Sequence, residues 1–253
     1  MLSITPELVY RLPKVELHCH LDGCLRPKSI LDVAKKDNIK LPSFKLEKLS
    51  SYLRIGKKRG SLEEYLKRFD ITLSVMQTPE SLTRFAYELI EDAAAENIRY
   101  IEVRYSPILH LEKGMTVDMA VEAVKDGLKK GEEIFGVKSG IIVCGIRSIS
   151  PEISLKLADL AVRYKNKGVV GFDLAGAEEN FPAKEHREAF YQIRNHNINS
   201  TIHAGEAHGP ASIHQAIHYC IAAPVPSPKR IPKESKGSAF KNFNISQCPT
   251  SSD

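Results

Sequence analysis

Val15-Glu16-Leu17-His18-Cys19-His20-Leu21-Asp22-Gly23 reads as a β-strand that ends in chemically useful side chains. Residues two apart on a strand share a face, so His18 and His20 present both rings together and Asp22, just beyond, can continue the line. Pro27 then stands where a proline opens a helix, expected over residues 27–38. A strand feeding a helix is half of a βα unit, and the chain repeats that alternation. Further strands are expected over 100–105, 140–146, 169–174 and 200–203. Helices are expected over 45–53, 61–76, 79–97, 116–135, 151–164, 184–196 and 210–219, with Leu82, Phe85, Leu89 and Ala93 on one stripe. Runs 140–146 and 169–174 are almost continuously apolar, as parallel strands covered on both faces are. A parallel barrel and a doubly wound sheet both fit this pattern.

At 253 residues, 42% hydrophobic and 26% charged, the chain has the composition of an ordinary globular protein with one main domain. No apolar run approaches the roughly 18 residues of a membrane span, and no basic segment followed by an apolar one marks a secretory signal, so a cytoplasmic protein is expected. The five cysteines form no metal or disulfide spacing and read as reduced thiols. Of the net charge of +5, the segment 223–253 supplies +3, leaving the body nearly balanced. Neither nucleic acid nor membrane is therefore expected as a partner, and Gly56-Lys57-Lys58-Arg59-Gly60 reads as a solvated loop. Pro224, Pro226, Pro228 and Pro232 alternate with lysines and serines, which divides the chain into a domain over 1–222 and an irregular Pro/Lys/Ser-rich tail over 223–253.

A second histidine motif, His203-Ala204-Gly205-Glu206, closes the fifth expected strand. Barrels gather strand ends into one cavity, so His203 can join His18 and His20 as a third nitrogen ligand. Imidazole nitrogens suit zinc, and Glu206 is placed to shuttle a proton without binding it. The pair His214 and His218 share a helix face, but Gln215 stands where a helical zinc protease needs its glutamate, so that face is read as solvated. His110, His186, His196 and His208 lack any motif and read as surface residues. There is no phosphate-cradling glycine loop and no nucleophile elbow.

Four segments in order carry a family resemblance: residues 13–23, Tyr100-Ile101-Glu102-Val103-Arg104-Tyr105-Ser106-Pro107, Gly171-Phe172-Asp173-Leu174-Ala175-Gly176, and His203-Ala204-Gly205-Glu206-Ala207-His208-Gly209-Pro210. Together they resemble the adenosine deaminase family of metal-dependent (β/α)8 TIM barrels. The resemblance implies zinc-dependent hydrolysis of adenosine, and of 2′-deoxyadenosine, to the inosine form with release of ammonia. It implies His18, His20 and His203 as zinc ligands and Glu206 as the acid that protonates purine N1. It further implies Asp22 as a ribose contact, Gly176 as a backbone contact to the purine, and Tyr65, Leu66 and Phe69 at the pocket mouth. Read from periodicity alone, that last trio is a helix's core face.

Two family elements do not occur in this sequence: an Arg-Ile-Gly-His-Gly strand, whose histidine orients water, and a Thr-Asp-Asp segment that supplies a zinc ligand and a purine contact. The expectation is therefore an incomplete barrel of about five βα units with an aberrant C-terminal tail, impaired or inactive in deamination. Such an arc leaves unpaired strand edges open to self-association. The alternatives are an adenine or N6-substituted AMP deaminase of the same superfamily, or a non-catalytic interaction isoform.

Overall fold

Five parallel strands form one sheet in the order in which they occur in the chain: β1 (Lys14–His20), β2 (Ile98–Tyr105), β3 (Lys138–Ile146), β4 (Val169–Ala175) and β5 (Asn199–Ser200). The computed structural model describes residues 4–54 and 68–220. The basic cluster at 56–60, Tyr65, Leu66 and the tail expected from 223 onward lie outside those residues. The strand order decides between the two architectures left open by the sequence. A doubly wound sheet reverses direction at a switch point, whereas a barrel adds each new strand beside the last. The sheet is thus an arc of a (β/α) barrel.

The intervening helices follow from local chemistry. After α1 (Pro6–Arg11), helices α2 (Pro27–Lys36), α3 (Leu46–Leu53) and α4 (Phe69–Val75) lead into α5 (Pro79–Ala95). Thr78 caps α5 through a capping box with Ser81, and Pro79 fixes the first turn. Leu82, Phe85, Leu89 and Ala93 are all buried, as their spacing predicted. Next comes α6 (Val117–Phe135), capped by the Thr116 side chain and terminated by Gly136 at φ 72°. It lies hard against α5: a Cβ on Gly127 would sit 2.2 Å from the Thr83 carbonyl oxygen. The remaining helices are α7 (Pro151–Arg163), α8 (Arg187–Asn195) and α9 (Pro210–Gln215).

Several boundaries differ from expectation. Helix α8 is preceded by a separate 3-10 turn, Ala183–His186, and α9 passes into a π-turn, Ala216–Cys220. The sequence reading did not foresee α1, a short helix with no buried residue and so no apolar stripe to detect. Strand β5 is shorter than expected, but its pairing continues beyond Ser200: the Thr201 amide donates to Phe172 and the His203 amide to Leu174. Cys144 and Cys220 are buried free thiols, and the Sγ atoms of Cys19 and Cys24 lie 3.4 Å apart.

Among the described residues β1 and β5 each pair on one side only. The outward side chains Val15 and Leu17 are 61% and 53% exposed, as an uncovered barrel edge requires. The arc nevertheless curls strongly. Strands β1 and β5 stand at its two ends, yet His18 of the first and His203 beyond the second are in contact.

Candidate metal and catalytic site

Strand alternation puts His18 and His20 on the concave face, and the continued β4–β5 pairing carries His203 to meet them. Their Nε2 atoms form a triangle with sides of 2.8, 3.0 and 3.3 Å. Among the described residues this is the one group of three or more His, Cys, Asp or Glu side chains able to hold a metal ion. Burial draws His18 down to about 4 and His20 down to about 3, so both rings are neutral and offer lone pairs. A third lone pair joins them once His203 gives up its proton, and a cation shared by the three rings would then offset their mutual repulsion. A tetrahedral zinc with bonds of about 2.0–2.1 Å would separate its nitrogens by about 3.4 Å, close to the observed triangle, so the donor set fits that ion.

Behind His203 lies a buried charged layer that the sequence reading did not assign. Asp173 on β4 is fully buried, and its Oδ2 accepts from Arg104 Nη1 at 3.0 Å. His203 Nδ1 approaches the same oxygen at 2.9 Å, an ion-pair distance without hydrogen-bond alignment, and Asp173 Oδ1 has no partner. Arg104 is held further by the Leu17 carbonyl at 2.7 Å and the Thr201 hydroxyl at 3.3 Å. Burial works to lower His203, but the charge of Asp173 outweighs it and the imidazole is raised above its ordinary value. Burial likewise works to raise Asp173, and the cationic His203 and Arg104 reverse it, leaving the carboxyl well below the usual carboxylate range.

Asp22 sits in the 3-10 turn Leu21–Gly23 directly after β1 and is buried, with no hydrogen-bond partner for Oδ1. Burial pushes its carboxyl up to about 7. A glycine at 23 is accommodated against the Phe69 ring, whose nearest carbon would lie 3.7 Å from an added Cβ. Gly176, just past β4, adopts φ 97°, and a Cβ there would lie 3.2 Å from Ile146 and 3.6 Å from the Arg147 amide nitrogen. That conformation suits glycine and leaves its backbone bare.

Glu206 is exposed, on the irregular segment after His203. Partial desolvation still raises its carboxyl above the ordinary value, opposed by the charges of His203 and Arg147. Two buried side chains support this segment: Arg147 donates to the His203 carbonyl at 2.6 Å, and Glu178 accepts from the backbone of residues 205–208.

The other histidines divide. His196 and His208 are exposed as expected, and so are His214 and His218, whose rings stack on the helix surface 4.1 Å apart. His110 and His186 are buried, not superficial. His110 faces the Met76 carbonyl, and His186 bridges the Ser154 hydroxyl and the Arg147 carbonyl, so each meets a buried polar partner.

Fold and site together define a class: an arc of an α/β barrel with three imidazoles able to hold a metal at the C-terminal ends of its strands. The family described as adenosine deaminase matches residues 13–230. A probable adenosine deaminase from Dictyostelium discoideum is 42% identical over 220 residues, 87% of this chain and 28% of that protein. Adenosine deaminase from Mycobacterium ulcerans is 44% identical over 224 residues, 86% of this chain and 61% of the relative. The chain belongs to the adenosine deaminase family. It spans about three-fifths or less of these two relatives.

Solved structures agree on the fold. Adenine deaminase from Arthrobacter aurescens superposes with a TM-score of 0.74 at 26% identity, covering 83% of this chain and 63% of the other. Arabidopsis N6-mAMP deaminase gives 0.72 at 26% identity, covering 84% and 65%. An amidohydrolase from Burkholderia ambifaria with bound Zn gives 0.77 at 24% identity, covering 87% and 61%, a likeness of fold alone.

Proposed function

We propose that this site is built for zinc-dependent hydrolysis of adenosine and 2′-deoxyadenosine, adding water and releasing ammonia to leave the inosine form. The imidazole triangle carries this reading: three neutral or readily deprotonated nitrogens within 3.3 Å of one another, with an acid three residues past the last. His18, His20 and His203 hold the metal, and when bound it supplies Lewis-acid activation of water. Glu206, with its carboxyl raised, delivers a proton to purine N1. Asp22 receives a ribose hydroxyl at its otherwise unmatched Oδ1, and Gly176 offers its backbone to the purine. The unmatched carboxylate favours a nucleoside over free adenine. The deaminase domain is assigned to 1–222 and the tail to 223–253, in a cytoplasmic protein that takes a small purine nucleoside and neither nucleic acid nor membrane.

The 253-residue chain is further proposed to be impaired in this chemistry. Its sequence holds no Gly-His-Gly and no Asp-Asp element, and general acid–base help of the kind such residues give is worth about 10²–10⁴-fold. The exposed outer face of β1 favours self-association as the competing non-catalytic outcome. The test is a substrate panel on the purified chain with added zinc: adenosine, 2′-deoxyadenosine, adenine and N6-methyl-AMP, each followed by chromatography of its purine product, because the modified nucleotide would release methylamine in place of ammonia. Slow turnover confined to the two nucleosides is expected. Preference for adenine or the modified nucleotide would overturn the substrate reading, and turnover at an ordinary enzymatic rate would overturn the impairment.

A further inference from the structure

Residues 201–209 belong to no helix or strand, yet they carry His203 and Glu206. Something other than a ladder must fix them. The His203 amide is the last group taken by β4, donating to Leu174 at 3.1 Å. Beyond it the backbone is answered by two side chains that are nearly sealed from solvent, Arg147 at 3% exposure and Glu178 at 4%. Arg147 Nη2 donates to the His203 carbonyl, while Glu178 Oε1 accepts from the Gly205 amide at 2.5 Å. Glu178 Oε2 accepts from the Ala207 and His208 amides at 2.5 and 2.8 Å. The left-handed turn at Gly205, φ 88°, brings these N–H groups round to one side, and a Cβ there would lie 2.7 Å from Ile213 Cδ1. The three amides bracket Glu206 on both sides, so the carboxylate beneath them sets the direction in which that side chain leaves the backbone.

We propose that Glu178 is a positioning residue: a buried anion that clamps the backbone of residues 205–208 and so fixes where the Glu206 carboxylate stands relative to His203, with Arg147 as its cationic counterpart on the His203 carbonyl. The role of Glu206 rests on the functional reading above; the clamp itself does not. A carboxylate taking three amide hydrogens is a charge-assisted anchor, and it is stronger than neutral bonds of the same length. In Glu178→Gln the side chain keeps its shape and loses the charge and one acceptor oxygen.

The unaltered 253-residue chain gives the first test. Amide NMR is expected to show the Gly205, Ala207 and His208 protons shifted far downfield, with through-hydrogen-bond coupling to the Glu178 carboxyl carbon. In Glu178→Gln these three amides should exchange about 10–100-fold faster, the loss of one charge-assisted bond, while β1–β4 amides keep their protection. Crystal structures of the two proteins should show the Glu206 carboxyl carbon displaced by about 1 Å or more, with the three imidazoles superposed, a shift large enough to matter for catalysis. Zinc affinity should stay within about 3-fold, below the 10–100-fold that loss of a ligand-orienting partner brings. Absent couplings in the parent chain overturn the clamp even if the variant fails to fold. Loss of protection throughout the sheet, or an unmoved Glu206, reduces Glu178 to a structural residue and overturns the positioning role. A clamp seen in a chain that prefers adenine or N6-methyl-AMP would instead count against the functional reading alone.

Discussion

Replacing Asp173 by asparagine tests whether the charged layer behind His203 is needed by the fold. Arg104 is 2% exposed and Asp173 fully buried, so neither charge has water to fall back on. In Asp173→Asn the guanidinium loses its anionic partner and is left with neutral acceptors only: the Leu17 carbonyl, the Thr201 hydroxyl and the new amide oxygen. Breaking one side of such a pair costs about 3–5 kcal/mol, because the surviving charge is left uncompensated. Against a total stability of about 5–15 kcal/mol this is severe without being fatal. Urea unfolding followed by circular dichroism, with chelator present to keep metal out of the comparison, should therefore show a midpoint lower by about 1–2 M for a slope near 3 kcal/mol/M. The measurement belongs at neutral pH. Asp173 is held below its unfolded value, so its contribution is complete above about pH 4 and fades only as pH falls through the lower folded value. Arg104→Met combined with Asp173→Leu removes both charges and should recover most of the loss. A cost below about 1 kcal/mol for Asp173→Asn, or a double variant as unstable as the sum of the singles, would refute the reasoning.

Two further outcomes follow from the titrating groups. Asp22 is raised to about 7 in the fold, so the folded state binds more protons than the unfolded chain between about pH 4 and 7, and stability falls as pH rises through that window. Asp22→Asn should raise the urea midpoint at pH 8 and leave it nearly unchanged at pH 4; equal shifts at both would contradict the burial argument. Zinc uptake near pH 6 should release about one proton, from His203, because His18 and His20 are already neutral there. Calorimetry in buffers of different ionisation enthalpy counts those protons, and release of three would mean that the imidazoles are not pre-set for metal.

The legible parts of this protein were those with a period. Alternating apolar runs located all five strands, and the spacing of Leu82, Phe85, Leu89 and Ala93 gave the buried face of α5. His18 and His20 were legible because strand geometry alone puts them side by side. The supporting residues were harder to see. Asp173 lies in a strand that is otherwise largely buried, and a charge there signals an internal partner, although only the fold says which; Arg104 follows Arg99 and Glu102 in a strand of mixed exposure and stands out less. Glu178 gave no signal: Ala177-Glu178-Glu179-Asn180 has the composition of a solvated turn, and its carboxylate is buried by a segment 27 to 30 residues further on. His110 and His186 were misjudged for the same reason, since their partners on Met76, Arg147 and Ser154 lie more than 30 residues away.

The contact between His18 and His203 joins residues 185 apart in sequence and the two tips of a five-stranded arc. Each strand pairs with the one just before it, so the sheet can zip up in order as the chain lengthens, but nothing in those ladders fixes how tightly it bends. The imidazole contact marks that bend. A cation shared among the three rings would act as the string of a bow, closing a loop of 185 residues and converting metal affinity into resistance against unbending. Loop closure on this scale costs about 5 kcal/mol of chain entropy, which metal affinity would offset while holding the curvature on which the pocket depends.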